Sequence, residues 1–84
     1  MLSAYIAAAM RRATYQLLAD DEGFVGEIPG LQGVLGHAET LEACREDLQS
    51  ALEDWLVFRL RRGLLVPVVE DIDLTAPPVI EEAA

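Results

Sequence analysis

Apolar and polar positions follow two rhythms along this chain. Between residues 14 and 38 the period is short. Tyr15, Leu17 and Ala19 share one face of an extended run over 14–19, Phe24, Gly26 and Ile28 share one face of a second run over 24–28, and Val34 opens a third over 34–38. Beyond residue 40 the period lengthens: Leu41, Cys44, Leu48, Ala51, Leu52, Trp55 and Phe58 recur at three- and four-residue steps. That spacing predicts a long helix over 40–62 whose apolar stripe faces a core, with Glu42, Arg45, Glu46, Glu53 and Asp54 off the stripe. A shorter stripe of Leu2, Tyr5, Ile6, Ala9 and Met10 predicts a helix over 2–12. A helix of that length is marginal alone in water, so it has to pack on something.

Turn and cap residues separate these runs. Asp20-Asp21-Glu22-Gly23 reads as a hairpin connection, Gly23 supplying a positive φ. Pro29-Gly30 ends the second strand, and Gly26 inside it signals a bulge or a close backbone approach. Thr40 is an N-cap and Gly63 a helix stop, with arginines in the turn before it. The run 64–69 is strand-like, Pro67 marks it as an edge, and 70–74 extends it. The order α-β-β-β-α-β predicts an α+β fold, a small, mainly antiparallel sheet of three or four strands with the long helix across one face. Tyr15, Leu17, Phe24, Ile28 and Val34 are expected to meet Leu41, Cys44, Leu48, Leu52 and Trp55. One domain is expected over 1–74, with 1–13 as an N-terminal helix and 75–84 as a frayed tail.

A chain of 84 residues forms a single small core and buries only about 60–65% of its unfolded surface. A homo-oligomer, a dimer or a tetramer, is therefore expected, with Leu2, Tyr5, Ile6, Met10, Val66 and Val68 as its contact residues. The single cysteine, Cys44, rules out an internal disulfide. Arg11 and Arg12 follow the first apolar stretch, the wrong order for a secretory signal, and no apolar run approaches the roughly 20 residues of a membrane span. A cytoplasmic protein without a membrane partner is expected.

The net charge is −9, unevenly distributed: residues 20–54 hold ten acids and one base, Arg45. The other arginines, Arg11, Arg12, Arg59, Arg61 and Arg62, cluster at the ends of the two predicted helices. An acidic surface repels phosphate backbones, so direct nucleic-acid binding is not expected, although helix-end arginines from several subunits could merge into a ridge. A basic protein is the better-matched partner.

Candidate chemistry is sparse. The acids at 20–22 and Glu27 sit in one hairpin, where splayed turn formers are the plainer reading than a two-metal site. His37 ends a strand with no sequence neighbour to orient it, Cys44 lies on the apolar stripe, and Trp55 and Phe58 read as core. No glycine loop precedes a helix as phosphate binding requires, and no metal-ligand spacing appears. No enzyme activity, cofactor or metal is expected.

Asp21-Glu22-Gly23-Phe24, Glu27-Ile28-Pro29-Gly30-Leu31 with Gly33, Glu39-Thr40-Leu41-Glu42, a long helix ending in Arg62-Gly63, and Val66-Pro67 follow one another in an order that resembles the HicB-like antitoxins. The resemblance covers residues 15–69. It implies a degenerate ribonuclease H-like fold without catalytic carboxylates, which binds and neutralises a small basic mRNA-cleaving toxin of the HicA type. On that reading Asp20, Asp21, Glu22, Glu27, Glu70, Asp71 and Asp73 are the acids that would meet the toxin. Two departures qualify it: no DNA-binding module is expected, and the N-terminal helix is extra to many short members. An orphan oligomeric module with another partner, and a ribonuclease H-like nuclease, are the alternatives.

Overall fold

The computed structural model describes residues 2–74 and orders them as α1 (Leu2–Arg11), β1 (Thr14–Leu17), β2 (Phe24–Glu27), β3 (Leu35–Ala38) and α2 (Leu41–Arg61). Each boundary has a local cause. The β1–β2 connection is a tight turn over Ala19–Glu22, closed by the Glu22 N–H donating to the Ala19 carbonyl (3.2 Å), and both central residues, Asp20 and Asp21, have φ of 59°. Positive φ at both centres is the primed geometry whose twist matches a two-stranded ribbon. After β2, Ile28-Pro29-Gly30-Leu31 turns with a Leu31 N–H to Ile28 carbonyl bond (3.0 Å), Pro29 second and Gly30 third at φ 89°, the type II arrangement. Thr40 Oγ1 accepts the Ala43 N–H (3.1 Å) and caps the start of α2. At the far end, Leu64 N–H reaches the Arg59 carbonyl and Gly63 N–H the Leu60 carbonyl, with Gly63 at φ 66°. This is a Schellman stop.

The three strands pair antiparallel in the order β1-β2-β3, and the register places Tyr15, Gly26 and Gly36 in one row. Two glycines in that row let α2 press onto the sheet. A Cβ on Gly36 would lie 2.6 Å from the Leu48 backbone nitrogen, and one on Gly26 would lie 2.9 Å from the Tyr15 ring. At Gly26 the close neighbours are side chains, the Tyr15 ring and Leu48, rather than the expected bulge or backbone; the close backbone approach is at Gly36. Around it a core gathers Tyr5, Ala8, Ala9 and Met10 of α1, Ile28, Leu31 and Val34 of the β2–β3 connection, Leu48, Leu52 and Leu56 of α2, and Val66 and Val69 beyond it. The protein is α+β, with the helix packed against the sheet as expected.

The apolar stripe of α2 differs from expectation at both ends. Cys44, Leu48, Leu52 and Leu56 are buried, whereas Leu41 is 48% and Phe58 51% exposed. Steps of four residues advance about 40° around a helix, so the buried line winds from the sheet toward α1 and the segment beyond α2. Phe58 lies about 200° around the helix from Leu56 and faces away. Leu17 leaves the expected core as well and is 68% exposed, because α2 covers β3 and β2 but does not extend over β1.

The expected fourth strand does not form a ladder. Residues 64–68 belong to no helix or strand, and the one pairing within 64–74 is a bridge between Val69 and Ile72 that closes a turn. Pro67 has no N–H to donate, but its carbonyl accepts the Tyr5 hydroxyl at 2.7 Å. The segment thus packs along α1 rather than joining the sheet. The tail expected over 75–84 lies outside the described residues.

Candidate partner-binding surface

Two turns of the same kind present acids to solvent. The first is the Ala19–Glu22 turn. The second is Val69-Glu70-Asp71-Ile72, in which Val69 and Ile72 exchange N–H···O bonds of 3.2 and 2.8 Å around Glu70 at φ 47° and Asp71 at φ 66°. Among the described residues, the four non-glycine residues with positive φ are these four acids. Left-handed backbone costs roughly 1–2 kcal/mol for an ordinary L-residue, less for Asp, and such turns ordinarily take Asn-Gly. All four side chains are exposed. Glu70 is partly neutralised, since Arg11 Nη2 lies 2.9 Å from its Oε1 across the surface. The sequence placed these acids in a turn and in a strand; the shared turn geometry became visible only in the structure.

The other expected acids are scattered. Glu22 is at the foot of the first turn, where its carbonyl accepts from His37 Nε2 at 2.8 Å, so the proton is on that nitrogen. Glu27 is at the opposite end of β2, in a row with Thr14 and Leu35. Asp73 follows the second turn and lines a groove. The seven candidates therefore do not form one cluster. Among the described residues, no three His, Cys, Asp or Glu side chains come together as a metal site.

The groove beside Asp73 encloses about 730 Å³, with Trp55 and Arg59 of α2 on one wall and Leu65, Val66, Pro67 and Val68 on the other. The Arg59 guanidinium stacks 5.1 Å from the centre of the Trp55 ring while its Nε donates to the Leu65 carbonyl at 2.7 Å. This bridges the two walls. The rim of the groove is apolar, with Leu65 76% and Val68 55% exposed. Sequence reasoning assigned Trp55 to the core and did not find this groove. Trp55 does pack partly buried against the core, and the uniformly apolar run from Leu64 to Val69 carries no signal for the groove beside it.

Of the six residues expected at an oligomer contact, Tyr5, Met10 and Val66 are buried inside the subunit's own core, Ile6 is half-buried, and Leu2 and Val68 are exposed. Cys44 is fully buried, its thiol donating to the Phe24 carbonyl at 3.5 Å. Burial, with a smaller contribution from Asp47, raises its pKa, which makes it a poor nucleophile at neutral pH. His37 is occupied twice, through its ring and through its backbone N–H, which donates to Asp47 Oδ2 at 2.9 Å. Two of the arginines at the end of α2 are also engaged: Arg62 lies over Phe58 (5.0 Å) as Arg59 lies over Trp55. Within the described residues no helix is long and apolar enough to cross a membrane.

A family model described as UPF0150-like matches residues 4–67. Among solved structures, the protein TTHA0281 of Thermus thermophilus is similar over 92% of this chain and 95% of its own, at 44% identity and a TM-score of 0.84. Among curated proteins, none matches. The matched span contains most of α1, which ties that helix to the shared fold.

Proposed function

The chain belongs to the UPF0150-like family, and on that footing we propose that it is a non-catalytic binding protein of the HicB-like antitoxin type. It holds a small basic mRNA-cleaving toxin of the HicA type through protein–protein contact. The observation that carries this reading is the second acidic turn. Glu70 and Asp71 occupy left-handed positions that Asn and Gly would fill at lower cost, and they stand beside an apolar-rimmed groove that Asp73 lines. A basic partner is drawn by the acids while its apolar side chains enter between Trp55 and Val68. The engaged states of His37 and Cys44 support the non-catalytic part.

The test is co-expression with the product of the neighbouring reading frame, which this reading expects to be a small basic protein. Co-purification of the two and rescue of growth are the expected results; a neighbouring frame that encodes no small basic protein, or one that is neither bound nor neutralised, overturns the reading. Asp71→Gly separates display from structure. It is expected to raise stability by about 0.5–1 kcal/mol by relieving the left-handed residue, while slowing association with the toxin. Denaturant unfolding and stopped-flow binding measure the two effects.

A further inference from the structure

The groove between Trp55 and Val68 stands at the point where the described chain ends. Val69 and Ile72 exchange N–H···O bonds around the Glu70-Asp71 turn, so the arm that leaves at Ile72 heads back beside the arm that entered. Asp73 on the returning arm lines the groove, and Leu74, the last described residue, packs against the core. A hairpin ladder cannot continue from there. The next hydrogen-bonding position on the entering arm is Pro67, which has no N–H and whose carbonyl already accepts the Tyr5 hydroxyl. The Leu65 carbonyl beyond it accepts Arg59 Nε. This wall therefore presents apolar side chains, with Leu65 and Val68 exposed along the rim, and little free backbone. Followed back through Leu64 and Gly63, it leads to the end of α2, where Arg59, Arg61 and Arg62 stand. No described carboxylate pairs with these three, since the one ion pair between described residues joins Arg11 to Glu70.

We propose that residues 75–84 of the same chain fold back into this groove, with Pro77 to Ile80 against Trp55, Leu65 and Val68 and with Glu81 and Glu82 beside the arginines at the end of α2. The order of residues in the segment suits that surface. Pro77 and Pro78 lose no ladder bonds along a wall that has none to give, and they favour the polyproline form that docks in grooves lined by an aromatic ring. Val79 and Ile80 supply apolar side chains next. Glu81 and Glu82 come last and meet three of the six bases of a chain whose net charge is −9. Seven residues from Leu74 to Glu81 span about 22 Å in that form, whereas Val68 and Leu64 are at most about 14 Å apart, so the reach is sufficient. A tethered segment meets its groove at an effective concentration on the order of millimolar, and a weak contact is then enough. The placement does not rest on the antitoxin-type reading. It adds a condition to it: a partner that enters between Trp55 and Val68 has to displace the chain's own segment first.

Trp55 is the single tryptophan of the chain, so its fluorescence reports the groove directly. In the full chain, Val79→Ser together with Ile80→Ser is expected to uncover the ring. Acrylamide quenching should become roughly twofold steeper as the covered ring surface returns to water. Glu81→Lys together with Glu82→Lys is expected to act in the same direction, more at low salt than at high. None of the four positions belongs to the core described above, and a circular dichroism spectrum matching the wild type shows that each variant keeps its fold. Equal quenching in the wild type and both variants overturns the proposal. So does shielding of Trp55 in the wild type that grows with protein concentration across the micromolar range, because the covering segment would then come from another copy. The readout needs no toxin, so its failure is separate from a failure of the antitoxin-type reading.

Discussion

Gly36 shows how one missing side chain sets the distance between two layers. A methyl group there would meet the Leu48 nitrogen, Cα and Cβ at 2.6–2.7 Å, and two of those atoms belong to helix backbone that cannot rotate away. Gly36→Ala should therefore destabilise by about 1–3 kcal/mol, the range for an overpacked core, with an unchanged denaturant slope in urea unfolding. Tyr5 makes a different residue-scale prediction. It is fully buried, and burial raises its pKa above the ordinary 10.0. Since the unfolded chain ionises first, the stability contributed by the neutral ring is complete below pH 10 and is lost as pH climbs through the folded-state value. Tyr15 shifts the same way, from burial first. Tyr5→Phe should cost about 1 kcal/mol at neutral pH through the lost bond to the Pro67 carbonyl. It should also soften the alkaline fall, as followed by the urea midpoint against pH.

At the scale of elements, α2 makes the sharpest division between positions that matter and positions that do not. Leu56→Ala should cost about 2–5 kcal/mol, whereas Phe58→Ala, two residues on and half in solvent, should cost under about 1 kcal/mol in thermal or urea unfolding. The sequence predicted the reverse emphasis, because a stripe drawn at alternating steps of three and four assumes a flat partner. The real partners are a sheet at one end of the helix and α1 at the other, so the buried line winds. What was legible rests on local chemistry. The Asp-Asp and Pro-Gly turns, the Thr40 cap and the Gly63 stop fixed where the strands and helices begin and end, within a residue or two. The fourth strand was misread because Leu64 to Val69 is as apolar as a strand, and composition cannot say whether the covering surface is a ladder or a helix. The surface groove escaped for a related reason: Trp55 reads as core until one knows that Arg59 lies over its ring.

For the molecule as a whole, the charge of −9 bears on encounter rather than on fold. Association with a basic partner should slow by an order of magnitude or more between low and physiological salt, with a much smaller change in dissociation. Stopped-flow rates at several ionic strengths measure both. The two ties that close the structure, Tyr5 to Pro67 and Arg11 to Glu70, span 62 and 59 positions of chain. A ribosome makes α1 before the segment that receives it. Until that segment has left the exit tunnel, ten residues of apolar helix have no complete surface to rest on. A helix made ahead of its own support is thus among the last elements to settle, and it is one a chaperone would meet exposed on the nascent chain.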